Sequence, residues 1–291
     1  MLAMGASLCG CGSRPMASLY RPHRQNRQKS SCPAFLDNRR TGGDLPADNK
    51  PMESTVEEIA LGIFRLSTWI PGISDQGFTF NQFLLTGEQP FLFHCGMRQL
   101  FPLVSRAIGR VIPRERLRWI SFGHVEADEC GAVNMLLAAA PQAEVIQGEL
   151  ACMVSLNDMC DRPPVVAGVE PLDIGGHRLR FIPTPHVPHN WEAGLWFDET
   201  TSTLLAGDLL TTVGNPAALT ESDLVEPALA AEQMFHATGL TTALGPTIQH
   251  LADLNPTTLA IMHGASFTGD GAAQLRGLAD GYAAMAGASL R

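Results

Sequence analysis

The sequence predicts an α/β fold in which two β-sheets lie face to face with helices outside, an αββα sandwich. From about residue 56, the chain contains two strand-rich halves, and in each half the later strands alternate with helices. Short apolar runs bounded by Gly and Pro occur in both halves, as is typical of buried strands. With 291 residues and 45% hydrophobic content, the chain can bury a sizeable core.

The first half is expected to begin with an antiparallel meander and to continue with alternating helices and strands. Strands are predicted at 58–67, 77–86, 91–94, 117–122 and 145–147, and helices at 99–111, 134–140 and 149–156. Pro102 fits the helix predicted at 99–111 only if it lies in the first turn of that helix. Asp128 is a candidate cap for the helix that follows it.

The second half repeats this organisation without repeating the sequence. Strands are predicted at 169–172, 178–183, 193–197, 203–206 and 258–262, and helices at 224–236, 241–254 and 274–285. A Gly175-Gly176 turn joins the first two of these strands.

Charge and cysteine content exclude several classes of protein. Residues 51–291 carry a net charge of −14 and contain no Lys, which argues against a broad basic face for nucleic acid. No stretch approaches 18 consecutive apolar residues, so no membrane span is predicted. The seven Cys are scattered and odd in number, which argues against a disulfide framework. We therefore expect reduced thiols in a cytoplasmic protein.

Residues 1–50 differ from the rest of the chain. They carry eight Lys/Arg against three Asp/Glu and show little periodicity, which predicts a disordered leader. A targeting leader and a mis-assigned start, with Met16 or Met52 as the true first residue, are the alternatives. The functional domain is expected to span 56–291.

Metal-binding side chains alternate at the end of the predicted strand 117–122. His124, Glu126 and Asp128 occupy positions i, i+2 and i+4, which point to the same side of an extended segment. An acidic helix N-terminus would account for Asp128 and the adjacent Glu129, because the helix dipole favours anions there. It would not account for His124 or Glu126, which precede the helix. The pattern therefore favours a metal site.

Three later residues each lie at the end of a predicted strand. They are His186, Asp208 and His263. One such residue alone is more often structural than ligating, but three of them following a His-x-Glu-x-Asp turn predict a two-metal site built from strand ends.

The order and intervals of these residues resemble the metallo-β-lactamase superfamily, whose usual signature is His-x-His-x-Asp-His followed by a His, an Asp and a His. Here Glu126 stands where the second His is usual, and Glu129 where the third is usual. With Glu126 at this position, the chain resembles the flavodiiron proteins and the stand-alone oxygen-binding di-iron proteins, whose motif is His-x-Glu-x-Asp. The resemblance covers residues 56–265 and implies a metallo-β-lactamase-type αββα sandwich.

The resemblance also implies a ligand set. It assigns one metal to His124, Glu126 and His186, the other to Asp128 and His263, and a bridging role to Asp208. Glu129 is left open, because it either supplies a further carboxylate or points away.

Three residues outside this ligand set are also candidates for a place near the site. His94 stands where the superfamily often has an Asp that orients the metal loop, so a hydrogen bond to that loop is expected. His189 is expected to support a metal ligand, to line the entrance or to be an exposed loop residue. Trp191 is expected either to form a wall of the pocket or to be an ordinary packing residue.

The exchange of a His for a carboxylate has a chemical meaning. A harder, more anionic site suits iron better than zinc and stabilises the ferric state, with manganese and zinc as alternatives. Two iron ions are therefore expected. No flavin is expected in this chain, because it contains no flavin-binding motif.

The resulting hypothesis is a non-haem di-iron protein that binds, reduces or senses dioxygen or nitric oxide, with electrons from a separate donor protein. The alternative is a metal-dependent hydrolase of a small ester or thioester. The resemblance also implies a homodimer; neither nucleic acid nor a membrane is expected as a partner.

Overall fold

In the computed structural model, which describes residues 52–289 and side chains to residue 287, two seven-stranded sheets form the centre of the fold. Sheet I contains, in spatial order, β1 (Thr55–Ala60), β2 (Ile63–Ile70), β3 (Phe78–Leu85), β4 (Phe91–Phe93), β5 (Trp119–Ser121), β6 (Glu144–Gln147) and β7 (Val165–Val166). Sheet II contains, in spatial order, β12 (Leu219–Thr220), β14 (Ser266–Thr268), β13 (Thr258–Ile261), β11 (Thr203–Gly207), β10 (Gly194–Asp198), β9 (Arg178–Pro183) and β8 (Leu172–Asp173).

The helices follow the strands in both halves. They are α1 (Phe101–Gly109), α2 (Ala127–Cys130), α3 (Val133–Ala139), α4 (Glu149–Ala151), α5 (Asn157–Met159), α6 (Val225–Phe235), α7 (Leu244–Ala252) and α8 (Gly271–Ser289). A π-helical turn, Cys152–Leu156, joins α4 to α5, and two 3₁₀ turns lie at Arg98–Leu100 and Arg114–Arg116. Within 52–289, no helix is both long and apolar enough to cross a bilayer.

Strand β3 shows how the layers are built. Phe83 and Leu85 point into the core between the sheets, while Phe80 and Leu84 point to the opposite face of sheet I. Residues of α1 and α3 pack on that opposite face, and residues of α6, α7 and α8 join the core of sheet II. Because side chains alternate along a strand, each sheet can bury both faces. The predicted αββα sandwich is confirmed.

Sheet I begins with the predicted meander, because β1, β2, β3 and β4 pair antiparallel in sequence. The prediction of one strand at 58–67 is wrong in detail. The chain reverses between β1 and β2, where Gly62 adopts a φ of 71°. A positive φ is readily adopted by glycine, so this residue permits the tight turn inside one apolar run.

Other local predictions also need correction. Asp128 is the second residue of α2, and that helix has no side-chain cap, so Asp128 does not act as an N-cap. The predicted strand 169–172 is reduced to β8 at Leu172–Asp173, and the sequence did not predict β7, β12 or β14. The predictions about residues 1–50 lie outside the described residues.

Four cysteines lie within the described residues, and all four are free thiols: Cys95, Cys130, Cys152 and Cys160.

Candidate metal centre

The ends of five strands bring the candidate residues to one edge of the sandwich. His94 follows β4, the His124 motif follows β5, and His189 lies in the loop after β9. Asp208 follows β11, and His263 comes two residues after β13. Strand β11 pairs parallel with β13, so Asp208 and His263 leave the same end of sheet II.

The first half of the centre is a compact group of four side chains. His124, Glu126, His189 and Asp208 each offer a ligand atom, and these atoms all lie within 4.8 Å of one another. Nε2 of His124 is 2.8 Å from Oε2 of Glu126 and 2.8 Å from Nε2 of His189. His124 and His189 would hold one cation together through these two nitrogens.

The second half contains Asp128 and His263, and Asp208 lies between the halves. Nε2 of His263 is 3.4 Å from Oδ2 of Asp128 and 3.3 Å from Oδ1 of Asp208. The other oxygen of Asp208, Oδ2, is 3.6 Å from Nε2 of His189. Asp208 therefore presents one oxygen to each half, as a bridging carboxylate must.

His189, and not His186, faces the first half of the centre. After β9 the backbone turns, and His186, at a φ of 65°, donates its N–H to the carbonyl of Asn190. The His186 side chain is exposed, whereas His189 is folded back toward His124. The structure thus brings His189, three residues further along the chain, to the place expected of His186. Strand periodicity cannot predict side-chain direction in a turn.

The loop that carries His189 also holds the first metal-binding segment. Glu192, which is 7% exposed, accepts a hydrogen bond from the N–H of Val125 at 3.0 Å. Asn190 donates to the carbonyl of the same Val125 at 3.4 Å. Val125 lies between His124 and Glu126, so these contacts fix the segment that presents both.

The roles of Glu192 and Asn190 were not predicted from the sequence, because neither residue follows a strand directly. Trp191 beside them is 53% exposed.

Strand β3 orients the second half. Nδ1 of His263 donates to the carbonyl of Thr79 at 2.8 Å, and the Thr79 hydroxyl accepts the N–H of Gly264 at 2.8 Å. Asn81 donates to the carbonyls of Ile261 and Gly264. These bonds join sheet I to the end of β13 and leave Nε2 of His263 directed at the carboxylates.

Glu129 lies beneath the centre and is fully buried. Its Oε2 accepts the backbone N–H of His124 at 2.7 Å, and its Oε1 is 3.3 Å from Nδ1 of the same residue. Oε1 is also 3.4 Å from Nε2 of His94, whose Nδ1 lies 3.2 Å from the carbonyl of Asn81. His94 therefore faces the metal loop through Glu129, but the hydrogen bond expected from it is not formed, because Nε2 of His94 and Oε1 of Glu129 are buried without a hydrogen-bond partner.

The electrostatics follow from opposite charges packed together. Hydrogen bonds from His124 and His189 lower the pKa of Glu126 to about 2. Burial acts to lower the pKa of His263, but Asp128 and Asp208 outweigh it and raise the pKa to about 10. Burial acts to raise the pKa of Asp208, yet the neighbouring histidines hold it below its usual range. The carboxylates thus stay ionised and attract positive charge.

The donor set fits two cations. Because Nδ1 of His263 donates to a carbonyl, a neutral ring turns the Nε2 lone pair toward two carboxylates. Oδ1 of Asp208 is buried without a hydrogen-bond partner. Lone pairs that converge on one another in this way are stabilised by a metal ion placed between them. Three carboxylates and three imidazoles are available, divided between two halves.

A two-sheet αββα sandwich with a paired His and carboxylate centre at one edge defines a protein of the metallo-β-lactamase superfamily. Within it, the chain belongs to the family described as "ODP family beta lactamase", whose sequence model matches residues 78–264. The matched span contains every residue of the candidate centre.

Curated relatives agree with this family. The chain is 32% identical over 140 residues to a putative diflavin flavoprotein A 3 of Nostoc sp., covering 45% of this chain and 23% of the relative. It is 29% identical over 137 residues to a putative diflavin flavoprotein A 2 of Synechocystis sp., covering 46% of this chain and 23% of the relative. The aligned part of the chain thus spans about a quarter of the length of these relatives.

Solved structures show the same fold. A metal-soaked flavodiiron core from Synechocystis sp. superposes with a TM-score of 0.70 at 21% identity, covering 80% of this chain and 62% of that one. The rubredoxin oxygen:oxidoreductase of Desulfovibrio gigas superposes with a TM-score of 0.65 at 18% identity, covering 80% and 62%.

Proposed function

We propose that this chain is a non-haem di-iron protein that binds or reduces dioxygen or nitric oxide and takes its electrons from a separate donor protein. The observation that carries the proposal is the donor set. One half of the centre offers His124, Glu126 and His189, the other offers Asp128 and His263, and Asp208 lies between them. Carboxylates in half of the positions favour iron over zinc.

Residues of the chain position and orient the ligands of the centre. Asp208 sets the spacing of the two halves, and the carbonyl of Thr79 holds His263 in the tautomer that leaves Nε2 free. Bound iron would supply the electron-transfer chemistry that dioxygen and nitric oxide require. The similarity in fold to a flavodiiron core and to a rubredoxin oxygen:oxidoreductase supports this choice of ligand.

One side of the centre is apolar. The ring of Phe78 lies 4.3 Å from that of His263, and the ring of Phe80 lies 5.2 Å from it, centroid to centroid. Phe235 packs on Phe78 in turn. An aromatic wall of this kind excludes water and favours a small apolar ligand over a charged ester.

The proposal is tested by purifying the protein without oxygen, counting its metals and recording the optical spectrum as air is admitted. Two irons per chain and a new charge-transfer band are expected. Two zinc ions, no spectral change and turnover of a simple ester would contradict the proposal and support the hydrolase alternative.

A variant that changes one ligand sharpens this test. Glu126→His replaces an oxygen donor by a nitrogen donor, so it should raise the zinc-to-iron ratio of protein expressed in the same medium. Glu232→Gln alters a buried carboxylate that contacts Thr238, outside the centre, and is the matched control. Equal metal ratios in all three proteins would show that the carboxylate does not select the metal.

A further inference from the structure

We propose that Glu129 is a positioning residue for His124 and does not ligate a metal. The inference rests on the proposed function only in requiring a metal at Nε2 of His124. Glu129 occupies the one position of the motif whose role the sequence leaves open, and its surroundings differ from those of the other carboxylates.

Burial and direction separate Glu129 from the ligand set. The side chains of Glu126, Asp128 and Asp208 are 53%, 19% and 15% exposed, whereas that of Glu129 is 0% exposed. Within the described residues, the group of ligand atoms around His124 includes an oxygen of Glu126 and one of Asp208 but none of Glu129. Its polar contacts are instead to the backbone and the Nδ1 side of His124, opposite the nitrogen that faces the centre.

One carboxylate contacts both the backbone and the ring of His124. Oε2 accepts the N–H of His124 at 2.7 Å, and Oε1 lies 3.3 Å from Nδ1. A histidine that binds a metal through Nε2 keeps its proton on Nδ1, and a carboxylate facing that proton sets both the tautomer and the ring orientation. Glu129 therefore acts on the metal through His124.

The neighbours of Glu129 are arranged to hold it in place. A Cβ at Gly123 would lie 3.0 Å from Oε2 and 3.1 Å from Oε1, so glycine leaves the space that the carboxylate fills. On the far side, Nε2 of the fully buried His94 is 3.4 Å from Oε1. Gly123, His94 and Glu129 thus form a supporting layer one step below the metal-binding atoms.

The test is a titration of metal-free protein with Co²⁺, followed by the visible spectrum of the bound ion. Wild type should bind two Co²⁺. Glu129→Ala should still bind two at saturation, but the ion at His124 should bind about 10–100-fold more weakly. Glu232→Ala, which removes a buried carboxylate elsewhere, should leave both affinities unchanged.

A second background separates positioning from ligation. In His263→Ala only the His124 half keeps its full donor set. If Glu129 positions His124, Glu129→Ala should weaken Co²⁺ binding in this background by the same factor as in wild type. If Glu129 ligates the ion held by Asp128 and His263, the effect should disappear there, and the inference is overturned.

Gly123→Ala tests the contact between Glu129 and His124 by a change outside both residues. The added methyl should displace the carboxylate and weaken Co²⁺ binding at His124, and combining it with Glu129→Ala should add little because both changes remove one interaction. Full additivity would contradict the inference. Glu129→Gln keeps one acceptor and the side-chain volume, so an intermediate loss is expected even if the alanine variant fails to fold.

The outcomes for this inference and for the proposed function are distinct. Wild type that binds fewer than two Co²⁺ would contradict the proposed function. Wild type that binds two, with Glu129→Ala unchanged in affinity, would overturn only the role given to Glu129.

Discussion

Nδ1 of His263 lies 2.8 Å from the carbonyl oxygen of Thr79, a residue 184 positions earlier in the chain. This bond joins the two sheets at the edge where the candidate centre lies. It also means that the direction of a metal-facing imidazole is set by a backbone group, which no side-chain substitution can remove.

The hydroxyl of Thr79 can be removed. Thr79→Val keeps the shape of the side chain but leaves the N–H of Gly264 without the acceptor it has at 2.8 Å. An unsatisfied buried donor costs about 1–3 kcal/mol, so the free energy of unfolding of the metal-free protein should fall by that amount. Denaturant unfolding measures it. Thr55→Val, at an exposed strand position, is the control and should change stability by less than about 0.5 kcal/mol.

His189→Ala should remove about one metal equivalent per chain, because His189 shares the first half of the centre with His124 and Glu126. His186→Ala should keep two, because its side chain is exposed and turned away. Metal analysis of both purified variants decides between the two histidines. Loss of metal from the His186 variant alone would show that the loop after β9 is arranged differently from this structure.

Gly264→Ala should disrupt the second half of the centre. Its φ is +107°, and an added Cβ would lie 1.9 Å from Oγ1 of Thr212, so the loop beside His263 must shift. Gly72→Ala shares the positive φ, at +85°, but meets nothing within 4 Å. The control should therefore cost only about 1–2 kcal/mol of backbone strain and keep both metals. Equal metal loss in the two variants would show that strain alone is responsible.

The stability of the metal-free protein should depend on alkaline pH. Asp128 and Asp208 raise the pKa of His263 from 6.5 to about 10 in the folded state. A raised pKa means that protonated His263 stabilises the fold fully below pH 6.5, and that this contribution is lost as pH rises from 6.5 to 10. The Tm of metal-free wild type should fall over this window, whereas His263→Ala should show a smaller fall. Parallel curves for the two proteins would contradict the assignment.

Much of the fold could be predicted because its signals are local. Apolar runs bounded by Gly and Pro located β3, β5, β9, β10, β11 and β13, and helical spacing located α1, α6, α7 and α8. Strands of two residues, such as β7 and β12, leave no periodicity to detect. The split between β1 and β2 was missed because Gly62 lies inside one continuous run.

The candidate centre was predictable where ligands follow strands and not where they lie in loops. The structure brings His124, Glu126, Asp128, Asp208 and His263 together at one edge of the sandwich. Which of the two histidines, His186 or His189, faces the centre depends on hydrogen bonds inside one turn. The two histidines are three residues apart and each directly follows a proline, so their local sequence carries no signal for these bonds.

The carbonyls of Thr79 and Asn81, two residues apart on β3, face Nδ1 of His263 and Nδ1 of His94 respectively. Carbonyls two positions apart in a strand are separated by about 7 Å. The regular repeat of β3 therefore sets the distance between His263, which faces the centre, and His94, which lies behind Glu129. A slip of β3 by one residue would turn both carbonyls to the opposite edge of the strand and move its side chains to the opposite face of the sheet. Such a molecule could still be compact, but its histidines would lose their orientation. Full metal loading would therefore show that β3 is paired in the correct register.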